Sequence, residues 1–543
     1  MDYKKRCEFL EKRIKRLNAI GLALTTENDT NKIFEMILEE ARHITNADGR
    51  TLYMIDENGN LKFEIMITDS LKIHNGGTSG NEIPPYIKPI PLIKEDGEEN
   101  HSHISAHVAL TGEICNIKDA YDEKGFDFSG TKAFDKNTGF RTQSVLNVPL
   151  KNHENEIIGV IQLINARDTK TQETILFSDE MEKQIISLAS QGAVALTNKR
   201  LVRELKNLFE AFIKLIATAI DKKSEYTGGH CERVPEITMM LADAVEKTKT
   251  GKYKDFSMND DERYELYIAG WLHDCGKVAT PVHVVDKATK LETIYDRIEN
   301  VQTRFEVLKR DAKIEYLNKK IKLLEKNDKN GLKKIKLDYK KKLIQLEDDL
   351  KFVELSNFGG EFMEKESQDR IKKIGQYKWD FKGQSKTFLS ELEVRNLTIP
   401  KGTLLPEERK IINDHIVITI EMLEQLPYPK KLRNVPEFAG GHHETLDGKG
   451  YPKGLTADQM SVQAKMMAIA DIYEALTAAD RPYNKPKKLS HAMRIMGYMK
   501  NDYHIDEELF EIFVKEGVYK QYANKYLGKD QLDKVNESEL LTV

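Results

Sequence analysis

A chain of 543 residues exceeds one ordinary domain of about 100–200 residues, so several folded units are expected. Hydrophobic residues make up 40% and charged residues 32%, which fits a globular chain with a charge-rich part, and the net charge of -4 gives no compositional case for a nucleic-acid polymer or an anionic membrane as partner. Cys7, Cys115, Cys231 and Cys275 are scattered and form no CxxC pair, which argues against a disulfide framework and a cysteine zinc site and points to a reducing, cytoplasmic compartment. The first residues, MDYKKRCEFLEKRIKRL, lack an apolar signal core, and the chain contains no apolar run long enough to span a membrane.

In chain order, residues 1–17 read as a short amphipathic helix. Residues 18–180 read as an α/β unit with one central antiparallel sheet flanked by helices. Within it, 32–44 has helical periodicity, 51–55 and 61–67 are strands joined by the turn Glu57-Asn58-Gly59-Asn60, and 144–149 and 157–164 form a second pair. Residues 178–221 read as one long helix, with 181–222 as the connecting segment. Its apolar positions, Leu201, Leu205, Leu208, Phe212 and Leu215 among them, could line a seam that pairs with a second copy, so a homodimer is expected, the alternative being a helix packed on its own domains. Residues 205–291 and 402–505 are helical and histidine-rich. Between them lies an insertion, 292–401. Its first part, 292–351, is dominated by Lys, Glu, Asp, Leu and Ile and is divided by the turn Asn327–Gly331 into an αα-hairpin, roughly 295–326 and 332–355, while 356–400 is mixed, contains Trp379 and leads the chain back to the main body. Residues 506–543 are expected as a helical tail.

Two motifs carry chemistry. In Trp271-Leu272-His273-Asp274-Cys275-Gly276-Lys277, a nitrogen ligand adjoins a carboxylate able to bridge two cations, and on a continuing helix Lys277 would share their face. In Gly441-His442-His443-Glu444, paired histidines precede the glycine-rich turn Asp447–Pro452. His230 follows Thr227-Gly228-Gly229, His415 follows Asn413-Asp414, and Asp471 sits in an apolar helix where a buried acid needs a partner or a metal.

Together the stretches TGGHCERV (227–234), HDCGKVATPVHV (273–284), LLPEERKIINDHI (404–416), HHETLDGKGYPKGL (442–455) and ADIYEALTAADRPY (470–483) resemble the HD-GYP branch of the HD phosphohydrolases. The resemblance implies an all-α bundle that hydrolyses a cyclic dinucleotide, chiefly cyclic di-GMP, to pGpG or onward to GMP. It implies two or three divalent metals, iron or manganese. Carried over by motif position, the metal ligands are His230, His273, Asp274, His415, His442, His443 and Asp471, with Asp274 bridging. The catalytic pair is Asp274 and Lys277. Lys277, Gly448, Tyr451 and Arg481 bind substrate, Lys277 and Arg481 at phosphate and the glycine-rich turn at the pocket wall. Some relatives use a glutamate before the first histidine for a third metal. Here Tyr226 holds that position and Glu225 is one residue off, which favours two metals and leaves three open. The long insertion between Leu291 and Leu404 is a departure from the family pattern.

The N-terminal unit resembles a GAF domain through His107–Glu113, Phe134–Thr142, and Val148-Pro149-Leu150 before Ile158–Asn165. That resemblance leaves open a bound cyclic nucleotide, for which Thr138 and Thr142 are candidate contacts, another small ligand, or none. The expectation is a multidomain protein, an α/β GAF sensor coupled to an HD-type helical bundle carrying an inserted hairpin. The alternatives are a nucleotide phosphohydrolase of the wider HD superfamily and an inactive scaffold that binds a cyclic dinucleotide.

Overall fold

The computed structural model describes residues 15–16, 18–223, 228–360, 362–479 and 486–542. The helix expected over 1–17 lies almost wholly outside the described residues, as do Glu225, Tyr226 and Arg481. The chain forms two compact units, Met1–Leu208 and Phe209–Val543. Among the described residues, no helix is long and apolar enough to cross a membrane.

In the first unit, a helix over Thr30–Thr45 starts where the Asp29 carboxylate accepts the Asn31 N–H and stops at Asn46, which turns left-handed. The strands are β1 (Ala47–Ile55), β2 (Asn60–Thr68), β3 (Ile73–Gly76), β4 (Ile90–Pro91), β5 (Cys115–Ile117), β6 (Val145–Lys151), β7 (Ile157–Arg167) and β8 (Thr174–Ile175). They form one antiparallel sheet in the order β3-β2-β1-β7-β6-β5, with β4 on β2 and β8 on β7. The expected strands are all present and longer, because ladder pairing continues beyond the apolar runs. The β1–β2 turn is held by Asp56, which accepts the N–H groups of Asn58 and Asn60.

Register places Leu52 opposite both Ile65 and Ile161, and Val148 opposite Ile161. These side chains bury one sheet face against Ile33, Ile37 and Leu38 of the first helix and Ile185, Leu188 and Ala189 of the helix Asp179–Lys223. The other face packs on the helix Ile104–Thr111 through Tyr53, Val108 and Val160. Thr138 donates its hydroxyl to the Phe134 carbonyl of its own helix, and Thr142 donates both its N–H and its hydroxyl to Asp135. Both threonines are thus engaged by the local loop structure.

The second unit packs the helices His230–Lys247, Asp260–Leu272, His415–Glu424, Val435–Gly440, Val462–Thr477, Leu489–Asn501, Glu507–Lys515 and Val518–Tyr526 around one core. Asp260–Leu272 begins with a capping box between Asn259 and Glu262. Residues beyond 506 contribute Leu509, Phe510, Phe513, Tyr519 and Tyr522 to that core, so this stretch is structural and not an appendage.

The insertion contains the expected hairpin, as helices Ile298–Glu325 and Lys329–Asn357, the second capped by Asp328. It contains more besides. Val301, Phe305, Leu346 and Val353 at the base of the hairpin join Ile371, Ile374, Phe388, Leu389 and Leu397 in a separate small core. A helix over Lys365–Gly375, the two-stranded Lys378–Phe381 and Gln384–Thr387, and a helix over Glu391–Leu397 complete it. Entry and exit are fastened together. Thr403 donates to the Lys287 carbonyl at 2.9 Å, and buried Lys287 reaches Asn396 and Glu408. Phe305→Ala is therefore expected to destabilise the insertion by about 3–5 kcal/mol. Shortening the hairpin between residues 312 and 340, beyond its buried layer, should leave the unfolding midpoint unchanged; parallel chemical denaturations check both.

Candidate metal centre

Five imidazoles and two carboxylates from separate elements converge in the second unit. The helix Asp260–Leu272 ends just before His273, and Asp274 follows at the start of a 3-10 turn over Cys275–Ala279. Lys277 is thus not on one continuing helix with them, as the spacing suggested, yet its ammonium still pairs with the Asp274 carboxylate. His230 opens the helix His230–Lys247, and His415 opens His415–Glu424. His442 and His443 follow Val435–Gly440, and Asp471 lies within Val462–Thr477.

The 3-10 turn packs so closely on the His415 helix that a Cβ on Gly276 would stand 2.0 Å from the His415 carbonyl oxygen. The Gly276 N–H donates to the Thr419 hydroxyl at 2.9 Å, and Lys223 donates to the carbonyls of Lys277 and Thr280. These contacts fix Asp274 relative to His415.

His230 Nε2 lies 3.0 Å from Asp274 Oδ2, 3.2 Å from His273 Nε2 and 3.3 Å from Asp471 Oδ1. His415 Nε2 lies 3.2 Å from Asp274 Oδ1 and 3.3 Å from His443 Nε2. Three subsets have donor atoms all within 4.8 Å of one another: His230, His273 and Asp471; His273, Asp274 and His442; and His415, His442 and His443. Asp274 therefore sits between a group around His230 and a group around His415.

Backbone carbonyls set the tautomers. His273, His415 and His442 each donate Nδ1–H to the carbonyl three residues earlier, Gly270, Ile412 and Ala439, at 2.7, 2.5 and 2.6 Å. That leaves three Nε2 lone pairs aimed inward. His442 Nε2 and Asp274 Oδ1 are buried and carry no hydrogen bond. An orphaned imidazole nitrogen beside an orphaned carboxylate oxygen is costly in a protein interior and matches the donor set of a divalent cation.

The charge balance agrees. Burial disfavours the ionised Asp274, but the Lys277 ammonium and the bond from His230 hold its carboxyl well below the usual range. Asp471 behaves alike: burial opposes ionisation, and the bond and charge of His230 outweigh it. Burial and the neighbouring His443 and His273 keep His442 neutral, and burial lowers His443 to about 4. Burial also disfavours the His230 cation, yet Glu474, Asp274 and Asp471 raise it well above the ordinary histidine value. His230 and Lys277 both supply positive charge among these carboxylates.

Two buried acids within the quoted motifs, neither given a role by sequence, orient the cluster. Glu474 accepts from His230 Nδ1 at 2.5 Å and from Arg233 Nε at 2.8 Å. It lies three residues after Asp471 on the same helix, a spacing that was available as a signal. Glu444 accepts the N–H groups of Lys453 and Leu455 at 2.7 and 2.8 Å and so ties the glycine-rich turn to the histidine pair. Within that turn, a Cβ on Gly450 would stand 2.3 Å from the Thr445 nitrogen, and Gly448 has φ +76°. Tyr451 stacks on His443, with centroids 4.9 Å apart.

The folds and this cluster define a chain that carries a GAF domain and an HD domain. Residues 29–196 match the GAF domain family model and 390–509 match the HD domain family model, which implies divalent-metal binding. The chain is 41% identical over 81 residues to 3'3'-cGAMP-specific phosphodiesterase 1 of Vibrio cholerae, covering 15% of this chain and 19% of that protein. It is 26% identical over 251 residues to a cyclic di-GMP phosphodiesterase of Thermotoga maritima, covering 42% of this chain and 64% of the relative. Against a cyclic di-GMP phosphodiesterase of Pseudomonas aeruginosa it is 44% identical over 79 residues, covering 14% and 18%. The chain thus spans less than two thirds of the length of each of these curated relatives.

Glu474→Gln keeps the shape and removes the charge that orients His230. Metal affinity, measured by competition with a chelator, is expected to fall about 10–100-fold while the unfolding transition persists.

Proposed function

We propose that the second unit is a metal-dependent phosphodiesterase of the HD-GYP type acting on a cyclic dinucleotide, with cyclic di-GMP as the first substrate to test and pGpG, GMP or both as products. The observation that carries this reading is the pair of orphaned buried donors, His442 Nε2 and Asp274 Oδ1, within a cluster of inward-facing imidazoles. His230, His273, Asp274, His415, His442, His443 and Asp471 are the proposed ligands of two divalent cations, iron or manganese, with Asp274 between them. When bound, such a pair supplies Lewis acidity and lowers the pKa of a coordinated water near a phosphodiester.

The protein's own groups do the rest. Lys277 is held against Asp274 and offers a cation to a phosphate oxygen. Glu474 and the three carbonyls keep the imidazoles oriented. The turn around Gly448 and Tyr451, pinned by Glu444, forms a wall for the substrate. Arg481 is assigned to phosphate by motif position alone.

The helix Asp179–Lys223 is the proposed coupling element. Leu201, Leu205, Leu208, Phe212 and Leu215 follow one another at intervals of four, three, four and three residues, and each is exposed. That is the spacing of a coiled-coil seam, so the intended partner is the same helix of a second copy. A ligand of the GAF domain, a cyclic nucleotide among the candidates, would act by favouring one arrangement of this helix pair.

Anaerobically prepared, iron- or manganese-loaded protein is expected to hydrolyse cyclic di-GMP, and Asp274→Ala to lose that activity by at least about a thousandfold, as followed by chromatography of products. Bound metal with no turnover of any cyclic dinucleotide would sink this assignment. Leu205→Asp with Phe212→Asp should convert a dimer to a monomer in sedimentation equilibrium; an unchanged mass would remove the seam from the account.

A further inference from the structure

A second set of histidines lies in the first unit, apart from the HD cluster. Asn100 anchors the loop before the helix Ile104–Thr111 by donating to the Pro91 carbonyl at 2.8 Å, and Ser102 donates to the Asn100 side chain at 2.9 Å. This loop presents His101, and the helix presents His107. Their Nδ1 atoms face each other at 3.1 Å, with the rings near perpendicular at 69°. His101 Nε2 is 2.8 Å from the Glu99 carboxylate, and His107 Nε2 is 3.9 Å from that of Glu113.

A carboxylate on Nε2 favours the tautomer in which that nitrogen carries the proton, leaving Nδ1 as a lone pair. Glu99 behind the His101 ring therefore leaves the His101 Nδ1 lone pair facing His107 Nδ1. Two imidazole nitrogens each about 2.0–2.1 Å from a metal stand roughly 2.9–3.4 Å apart in square-planar or tetrahedral geometry. The observed separation falls in that range. An imidazole ligand whose far nitrogen is held by a carboxylate is the usual outer arrangement of protein metal sites.

We infer that His101 and His107 form a second metal site, open to solvent, for a borderline divalent cation of the zinc, nickel or copper class. With two protein ligands, water or a small exogenous donor completes the coordination. The ion would join the loop to the helix that covers one face of the sheet, the helix whose Ser105 hydroxyl accepts from the buried Asn147 amide at 2.8 Å. This inference does not depend on the proposed phosphodiesterase activity.

The test is calorimetric titration of chelator-stripped full-length protein with Zn2+, beside His101→Ala/His107→Ala, with circular dichroism to verify the fold. The wild type is expected to take up one equivalent more than the variant. Loading with Cu2+ should give an electron paramagnetic resonance component with nitrogen couplings that the variant lacks. Should the double change disturb folding, His101→Gln on the loop carries the same expectation. Equal zinc uptake by folded wild type and variant overturns the proposal and assigns the pair to a proton shared between the rings.

Discussion

Two carboxylates, Asp274 buried and Asp471 partly so, lie among five imidazoles and need positive charge in their midst, and the second unit is organised around that requirement. Asp274 sits between the two histidine groups, and Lys277 and His230 hold it ionised against the cost of burial. The positions of these groups are set by rigid features. Helix starts place His230 and His415, a helix end places His273, and carbonyls of the preceding turns fix three imidazole tautomers. Gly276 lets the Asp274 turn approach the His415 helix at backbone contact. A protein that builds such an arrangement around unpaired inward donors is prepared for cations.

The same reasoning explains the tolerance of a large insertion between two halves of the cluster. Its ends are tied at Lys287 and Thr403, and it has its own core around Phe305 and Phe388. The chain can therefore leave the bundle and return without disturbing the helices that carry His273 and His415. The distal hairpin is charged and exposed, with Tyr316 stacked on Tyr339 as one of its ring contacts.

The residues proposed as ligands came from motif resemblance and not from composition, since a His-Asp pair alone is common; the structure brings these side chains together in one cluster. The sheet was legible because alternation and the turn at Gly59 mark β1 and β2. Glu474 and Glu444 were not singled out, because their importance depends on which face of a helix or turn meets His230 or the Lys453 backbone. Lys277 was placed beside Asp274 on the assumption of a continuing helix, and the pairing arises from a 3-10 turn instead. The small core of the insertion was hidden by its composition, since Val301, Phe305, Leu346 and Val353 are widely spaced within a run of lysines and acids.

The central claim is that the cluster around Asp274 and His442 holds metal. Metal analysis of anaerobically iron-reconstituted, desalted protein beside His442→Ala tests it most directly. Two tightly held equivalents are expected in the wild type, with loss of at least one in the variant. A folded wild type that retains no iron or manganese, or a variant that retains the same amount, would contradict it.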